Sequence, residues 1–545
     1  MLLSSLPAAA EIAVPASELP GRERERFVQP RAPLAQPGGR IITLPSTVAP
    51  EGAEDLKVTV RAVRIEGGTV YSADDLAPLY ADIIGREVTV AAIYEVARRI
   101  TTKYGNDGYV LSRAIVPPQE LSPRGAIVRV QIVEGYIDKV EWPAALSRYR
   151  DFFSQYAAKI TAERPINVRT LERYLLLAAD LPGLKFTNSL RASETEPGAA
   201  TLVVEVVKKP VDYFGRVDNR GTKARGPMQY FNSISINNIS RMHESWTLSS
   251  AGAFQVAELQ YWMLSYRQVL TSEGLTLFVN DSFSRSRPGT AVLKLLEYRT
   301  RSDLFEGGLS YPFIRQRERN LLASALFFAT NDRSDILNAL NTLDRLRGVR
   351  VKVDADAADP LRGINQLNLV LSQGIEGLGS STAGSAFLSR ANGQPDFTKF
   401  EATFSRLQPL GPSFSFLGAV YGQYARTPLL APELCGYGGR SFGRAFDPSE
   451  LVADTCLLAL GELRLDLPHS LQNVSQLQLY AYADRGWLHN IAPVAGTPRT
   501  VDGASVGGGF RLGLLPAMTV DLSAAKGIDG PRDAWRFFFI ATGRL

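Results

Sequence analysis

Hydrophobic and polar positions divide the chain into distinct textures. From Lys57, residues Val58, Val60, Ala62 and Arg64 alternate with Thr59, Arg61 and Val63, the period of a strand. Ser72 with Asp75 offers a capping box, and Leu76, Leu79, Tyr80 and Ile83 share one face of the helix it opens. Ile93, Val96, Ala97, Ile100 and Tyr104 recur at helical spacing until Gly105-Asn106-Asp107-Gly108 stops the run. Strands over 110–116 and 126–134 complete a β-α-α-β-β unit, a small α+β domain. The order then repeats. A strand over 136–142 and a helix over 148–160 precede a helix capped by Asn167, with Leu171, Tyr174, Leu175, Ala178 and Leu181 inward. A hairpin over 184–192 and 200–208 closes the second copy of this tandem unit.

From about residue 211 to 545 the texture is short alternating segments broken by Gly, Asn, Asp and Pro, the signature of an all-β region. In 476–486, Gln476, Gln478, Tyr480, Tyr482 and Asp484 share one face, while Leu477, Leu479, Ala481 and Ala483 share the other. In 457–467, Glu462, Arg464 and Asp466 oppose Leu463, Leu465 and Leu467. A soluble sandwich would bury the apolar face in its core, whereas a membrane barrel would turn it to lipid. Periodicity does not separate the two. Size and aromatics lean towards the barrel. At ~20 residues per strand and connection, this region holds roughly sixteen strands, an ordinary even number for an outer-membrane barrel. Trp246, Trp262, Trp487 and Trp535 fall near strand ends, where an interfacial girdle uses them. The aromatic end, Trp535-Arg536-Phe537-Phe538-Phe539-Ile540, is an aggregation-prone edge unless it closes against the first strand.

Composition narrows the classes further. The 545 residues are 45% hydrophobic and 21% charged, which excludes a disordered chain. No apolar run reaches the ~18 residues of a transmembrane helix. The net charge of +5 forms no block resembling a nucleic-acid arm, so no nucleic-acid partner is expected. Residues 1–56 read as a leader remnant, ending near Ala8-Ala9-Ala10, and a Pro-rich linker that is extended or only locally helical. His243, His469 and His489 are scattered, and HExxH, CxxC and GxSxG are missing. No catalytic residue, metal or cofactor is expected, and an enzyme is not the favoured class.

Two β-α-α-β-β units ahead of a barrel resemble POTRA domains on an Omp85-superfamily protein. The nearer likeness is to the outer-membrane transporters of two-partner secretion, the haemolysin activation/secretion family. Tyr104-Gly105-Asn106-Asp107-Gly108-Tyr109, Ile115-Val116-Pro117-Pro118-Gln119 and Val130-Gln131-Ile132-Val133-Glu134-Gly135-Tyr136-Ile137 resemble that family's first POTRA domain. Gly215-Arg216-Val217-Asp218-Asn219-Arg220-Gly221 resembles its first barrel strand, and Tyr311-Pro312-Phe313 its Tyr-Pro strand start. The family carries Val-Arg-Gly-Phe/Tyr at the tip of a loop folded into the lumen. Gly443-Arg444-Ala445-Phe446 occupies that place here, with Gly and Ala where the family has Val and Gly. Asp484-Arg485-Gly486 matches the Asp-x-Gly of a lumen-facing strand, and the resemblance implies that Asp484 is the partner of Arg444. Read without the resemblance, 438–446 is equally a mobile surface loop and Asp484 a solvated strand residue. Cys435 and Cys456 bracket the loop. In an oxidising compartment they form a disulfide stabilising by roughly 3 kcal/mol in the chain-entropy model, or they stay unpaired thiols.

The resemblance implies POTRA domains over 57–135 and 136–210, and a transmembrane antiparallel barrel of about 16 strands over 211–545 with its lumenal loop around 435–456. The implied site is the bacterial outer membrane, with both POTRA domains in the periplasm. The implied partners are a secreted haemolysin- or adhesin-like exoprotein, outer-membrane lipid and the barrel assembly machinery, with the transporter itself a monomer. The alternatives are an Omp85-type assembly factor and, behind it, a passive porin or an outer-membrane hydrolase. A short plug helix precedes the POTRA domains in the family. Only 11–19 offers one here, and Pro15 interrupts it.

Overall fold

The computed structural model describes residues 14–22, 26–27, 32–38, 48–193, 196, 198–493, 496–515 and 517–545. The leader read over the first residues lies outside this set. The first α+β unit comprises β1 (Lys57–Glu66), α1 (Ala73–Leu76), β2 (Glu87–Thr89), α2 (Val90–Asn106), β3 (Arg113–Ile115) and β4 (Arg124–Val133). Its sheet runs β2-β1-β4-β3, with β1 parallel to β4. The apolar stripe of α2 packs on Val60, Val128 and Val130 of the sheet. Ser72 and Asp75 make both halves of the capping box. The helix expected through Ile83 nevertheless ends after one turn and continues as two 3-10 turns, because Pro78 has no N–H to give to the ladder.

The second unit comprises β5 (Tyr136–Glu141), α3 (Arg150–Ala162), α4 (Val168–Ala179), β6 (Leu184–Ala192) and β7 (Ala199–Lys208), in sheet order β5-β7-β6. Asn167 caps α4 by accepting the Arg169 N–H, and its Nδ2 donates to the Asp107 carbonyl of the first unit at 3.0 Å. The inward leucines of α4 are Leu171 and Leu177, while Leu175 stays half-buried beside the core.

The rest of the chain is a closed barrel. Its first strands are β8 (Val211–Asp218), β9 (Gln229–Asn237), β10 (Glu244–Ala253) and β11 (Gln260–Val269). Then come β12 (Thr276–Ser286), a short helix α5 (Ala291–Leu295), β13 (Arg299–Arg315), β14 (Arg319–Ile336) and β15 (Ala339–Ala358). They are followed by β16 (Ile364–Gly374), β17 (Thr398–Pro409) and β18 (Phe414–Ala425). A two-stranded hairpin, β19 (Cys435–Tyr437) and β20 (Leu451–Ala453), stands apart from the wall. The wall resumes with β21 (Thr455–Asp466), β22 (Val474–His489), β23 (Thr500–Leu514), β24 (Met518–Asp529) and β25 (Trp535–Arg544). Sixteen strands close in order when β25 pairs with β8, from Ile540 opposite Asp218 to Arg544 opposite Phe214. The aromatic C-terminal strand is therefore a paired wall strand.

Burial decides between sandwich and barrel. Along β22, Gln478, Tyr480, Tyr482, Asp484 and Gly486 are buried, while Leu479, Ala481, Ala483 and Trp487 are exposed. The wet face is enclosed and the dry face points out, the inverse of a soluble core.

The second α+β unit packs on the barrel's short turns. Arg315 pairs with Asp180 at 2.6 Å, and Glu273 receives Tyr174, Arg173 and Lys159 at 2.9, 3.2 and 3.3 Å. His243, in the β9–β10 turn, lies among the rings of Tyr149, Phe152 and Phe153.

Candidate functional site

After β18 the chain turns into the lumen. Cys435 on β19 and Cys456 on β21 are joined, with Cα atoms 6.3 Å apart, so the base of the hairpin is tied to the wall. Asp454, fully buried beside that tie, accepts the N–H groups of Leu429 at 2.7 Å and Ile491 at 2.9 Å and pairs with Arg390. Glu433 pairs with Lys399 at 2.7 Å and with Arg350.

The tip, 438–447, is built by glycine. Gly438, Gly439 and Gly443 all have positive φ, at 123°, 115° and 68°, where side chains are strained. Ala445 is not among the positive-φ residues, so the Gly-to-Ala exchange leaves no backbone strain, and Ala445 is fully buried. Asp484 holds the tip by its backbone. It accepts Gly443 N–H at 3.0 Å, Arg444 N–H at 3.3 Å, Tyr437 O–H at 2.5 Å and Ser505 O–H at 2.8 Å. Four donors saturate this carboxylate, and the Arg444 guanidinium turns elsewhere.

The guanidinium lies instead on Glu462 of β21, which corrects the expected Arg444–Asp484 ion pair. Glu462 is wholly buried and also receives Arg464 at 2.7 Å and Arg511 at 3.0 Å. A buried carboxylate without cations is costly, whereas Asp484 is already satisfied by uncharged donors. Arg444 also stacks on Tyr482, 4.5 Å from its centroid. More arginines hold the tip, Arg536 from strand β25 and Arg220 and Arg532 from the connections beyond β8 and β24. Arg220 donates to the Arg444 carbonyl at 2.7 Å, Arg536 to the Ala445 carbonyl at 2.8 Å, and Arg532 pairs with Asp447 at 2.6 Å.

Gly486 has a structural reason as well. It sits opposite Gly503 on β23, and the ring of Tyr437 lies in the slot between them. A Cβ added at either position would stand 2.6 Å from that ring. Phe446 packs in the same cluster with Tyr437, Tyr480, Tyr482 and Phe538.

The lumen has a second occupant. Residues 14–22 and 26–27, expected in a linker, lie inside the barrel with one 3-10 turn, Ala16–Glu18. Glu18 pairs with Arg225 at 2.9 Å, both fully buried, and its carbonyl accepts the Tyr298 hydroxyl at 3.2 Å. Arg22 donates to the Leu434 carbonyl at 2.5 Å and to Ser449 Oγ at 3.0 Å, both on the lumenal loop. Phe27 stacks with Phe231 and Tyr261. Glu18 and Arg22 escaped sequence reasoning because a charged residue in a Pro-rich stretch carries no periodic signal, and Arg225 and Tyr437 because their partners lie far away in the chain. Glu462 was placed on the polar face by alternation, without its partners.

Among the described residues no cluster of three or more His, Cys, Asp or Glu is set to hold a metal ion. The profile of the haemolysin secretion/activation protein ShlB/FhaC/HecB family matches residues 198–510, and that of the ShlB-type POTRA domain matches 58–135. The chain belongs to this family. It is 23% identical over 528 residues to the heme/hemopexin transporter protein HuxB of Haemophilus influenzae strain 86-028NP, covering 93% of this chain and 90% of HuxB. It is 22% identical over 470 residues to the outer membrane transporter CdiB of Dickeya dadantii strain 3937, covering 82% and 79%. Among solved structures it resembles CdiB from Escherichia coli, with a TM-score of 0.72 at 19% identity over 96% of both chains. The molecule is thus a member of the two-partner secretion transporters, with an Omp85-like barrel in the outer membrane and POTRA domains in the periplasm. The barrel's short turns, which meet the second POTRA domain, mark the periplasmic side.

Proposed function

We propose that this transporter captures an unfolded exoprotein at its POTRA domains and exports it through the barrel without ATP. The observation that carries the reading is a groove of about 710 Å³ between α4 and the edge strand β6. Leu171, Leu175 and Leu190 line it, and Arg315 and Arg317 bring it to the barrel's periplasmic turns. An edge strand beside an apolar helix accepts an extended chain by backbone pairing, which tolerates many sequences and rejects folded ones. The N-terminal segment and the lumenal loop would yield or line the route. No nucleotide-binding motif is present, so folding of the cargo outside supplies the drive. The transporter works as a monomer inserted by the barrel assembly machinery.

The test is secretion of the cognate exoprotein at matched surface abundance. Leu175→Lys with Leu190→Lys is expected to cut secretion tenfold or more while the barrel still inserts, as is Arg444→Ala. Normal export in both variants rejects the reading. Exchanging charges between Arg444 and Asp484 is expected to restore nothing, because Asp484 serves the loop backbone.

A second reading, assembly of other barrels, draws on the short β8–β25 seam, where five residue pairs face one another. A disulfide across it, Val217→Cys with Ala541→Cys, should block assembly but leave export intact.

A further inference from the structure

The three longest wall strands carry a feature that export does not use. Outward positions on β13 are apolar from Phe305 to Phe313, on β14 from Leu321 to Ala329, and on β15 from Val349 to Ala357. Each stretch matches the roughly 9–11 residues needed to cross the hydrocarbon. Immediately beyond, on the side away from the POTRA domains, the outward face turns basic. Arg285, Arg301 and Arg333 stand directly opposite one another on β12, β13 and β14. Arg299, Arg345 and Arg347 flank them on the same outward face.

Like charges placed opposite on neighbouring strands repel, and strands lie only ~4.8 Å apart, so a row of three cations is unfavourable on its own. The intrinsic relief is partial. Asp303 pairs with Arg301 at 2.9 Å and Asp335 with Arg333 at 2.6 Å, but these are surface pairs with both arginines about half exposed. At this end of β12–β15 six outward arginines meet four carboxylates, Asp281, Asp303 and Asp335 on the strands and Glu297, 3.5 Å from Arg299. Arg285 and Arg301 lie over the ring of Phe283, at 4.7 and 5.4 Å, so one ring gathers both cations. The opposite wall at the same level differs. There Arg485 is balanced by Asp529 at 3.4 Å and lies over Trp487, an ordinary interfacial arrangement.

We infer that the outward arginines of β12–β15 form a binding surface for the phosphate groups of a phosphorylated glycolipid in the outer leaflet. Guanidinium groups donate bidentately to phosphate oxygens, and a basic cluster at the headgroup level of an anionic leaflet is attracted to it charge by charge. The acyl chains would lie against the apolar stretches below, so phosphate and hydrocarbon are met by adjacent parts of one face. The surface anchors the tall side of the barrel and rests on the outer-membrane assignment, not on the export reading.

The experiment uses the full chain in detergent, titrated with bis-phosphorylated lipid A and with the same lipid after removal of its phosphates, binding being followed by native mass spectrometry. The phosphorylated lipid is expected to bind at least tenfold more tightly, with affinity falling as salt rises. Arg285→Gln with Arg301→Gln and Arg333→Gln should weaken it tenfold or more, while Arg485→Gln on the opposite wall leaves it unchanged. If the triple variant does not fold, as judged by heat-modifiable mobility, the single Arg285→Gln variant should still weaken binding about threefold. Unchanged affinity in the folded arginine variant, equal binding of the dephosphorylated lipid, or displacement by inorganic phosphate at the lipid's own concentration would each overturn the proposal.

Discussion

The lumenal loop and the N-terminal segment lie side by side in one barrel, and both use buried arginine–carboxylate pairs. Arg444 meets a Glu462 with no solvent exposure, and Arg225 meets a Glu18 that is equally enclosed. Around those pairs the two differ. The loop is covalently continuous with wall strands at both ends, is stapled by Cys435–Cys456, and has its tip backbone gripped by Asp484, Arg220 and Arg536. The segment precedes the POTRA domains and, among the described residues, is held by side chains such as Glu18, Arg22 and Phe27 and by Arg225 and Tyr298 on the Glu18 carbonyl, with no disulfide tying it to the wall. Equal ion pairs therefore have unequal consequences. Breaking the first is expected to strain a loop tied to the wall at both ends, while breaking the second is expected to loosen a segment that the wall holds without a covalent tie.

The largest effect should follow Glu462→Ala. Removing one partner of a buried pair costs about 3–5 kcal/mol, and here it leaves Arg444, Arg464 and Arg511 without their shared carboxylate. The barrel is expected to lose heat-resistant mobility on gels at markedly lower temperature, with export abolished. A variant with wild-type thermal behaviour would show that the three arginines find other partners and that the pair is no lock.

Glu18→Gln is the matched perturbation of the other occupant. Its local cost lies in the same range of about 3–5 kcal/mol, but the segment escapes it by withdrawing, so the barrel keeps its thermal stability. Single-channel recording in planar bilayers should instead show longer and larger open events. Channel activity unchanged from the parent's would mean that Arg22, Phe27 and their neighbours suffice to hold the segment.

Much of this contrast was legible before the fold was known, and only for the loop. Alternation placed Glu462 and Asp484 on the wet face because a strand's period of two needs no tertiary information. It could not say which of them takes the guanidinium, since that depends on a one-strand offset and on how many uncharged donors already crowd Asp484. The slot that Gly486 and Gly503 open for Tyr437 joins residues from β19, β22 and β23, so it leaves no local trace. The segment was illegible for a different reason. Proline and alternating charge around Arg22 and Arg26 describe a solvated spacer equally well, and only the complementary Arg225, some two hundred residues away, makes Glu18 a buried residue. The tandem α+β units were read nearly whole, missing the short strand β2, the break at Pro78 and the true extent of β3, because their cores are made by contacts within one helix and its own sheet.

An intermediate effect is expected from Cys435→Ser with Cys456→Ser. A tie across a separation of 21 residues is worth about 3 kcal/mol against the unfolded chain. The tip should still dock through Asp484 and Glu462, so export falls less than in Glu462→Ala. The readout is the melting temperature of the purified barrel with and without reductant. A parent protein insensitive to reductant, together with a serine variant of unchanged stability, would show that the staple adds nothing to the electrostatic grip.

The smallest effect lies outside the membrane, where the second POTRA domain meets the barrel. His243 is packed among Tyr149, Phe152 and Phe153, with its ring centroid 4.2 Å from that of Phe152. Burial lowers its pKa, and the neighbouring Glu244, whose carboxylate is engaged by the Ser240 and Met242 N–H groups, opposes that shift only in part. The docked state therefore binds fewer protons than the undocked one once pH falls below the ordinary histidine value of about 6.5. Docking is fully stable above that value and weakens as acidification charges an imidazole that the aromatic cage cannot solvate. Spin labels on the POTRA domain and the barrel should report a broader distance distribution at pH 5 than at pH 8. His243→Asn tolerates the local φ of 59°, does not titrate, and should flatten the pH response. A response that survives in that variant would assign the sensitivity to the Glu273 ion pairs instead, making the junction a charge contact rather than an aromatic one.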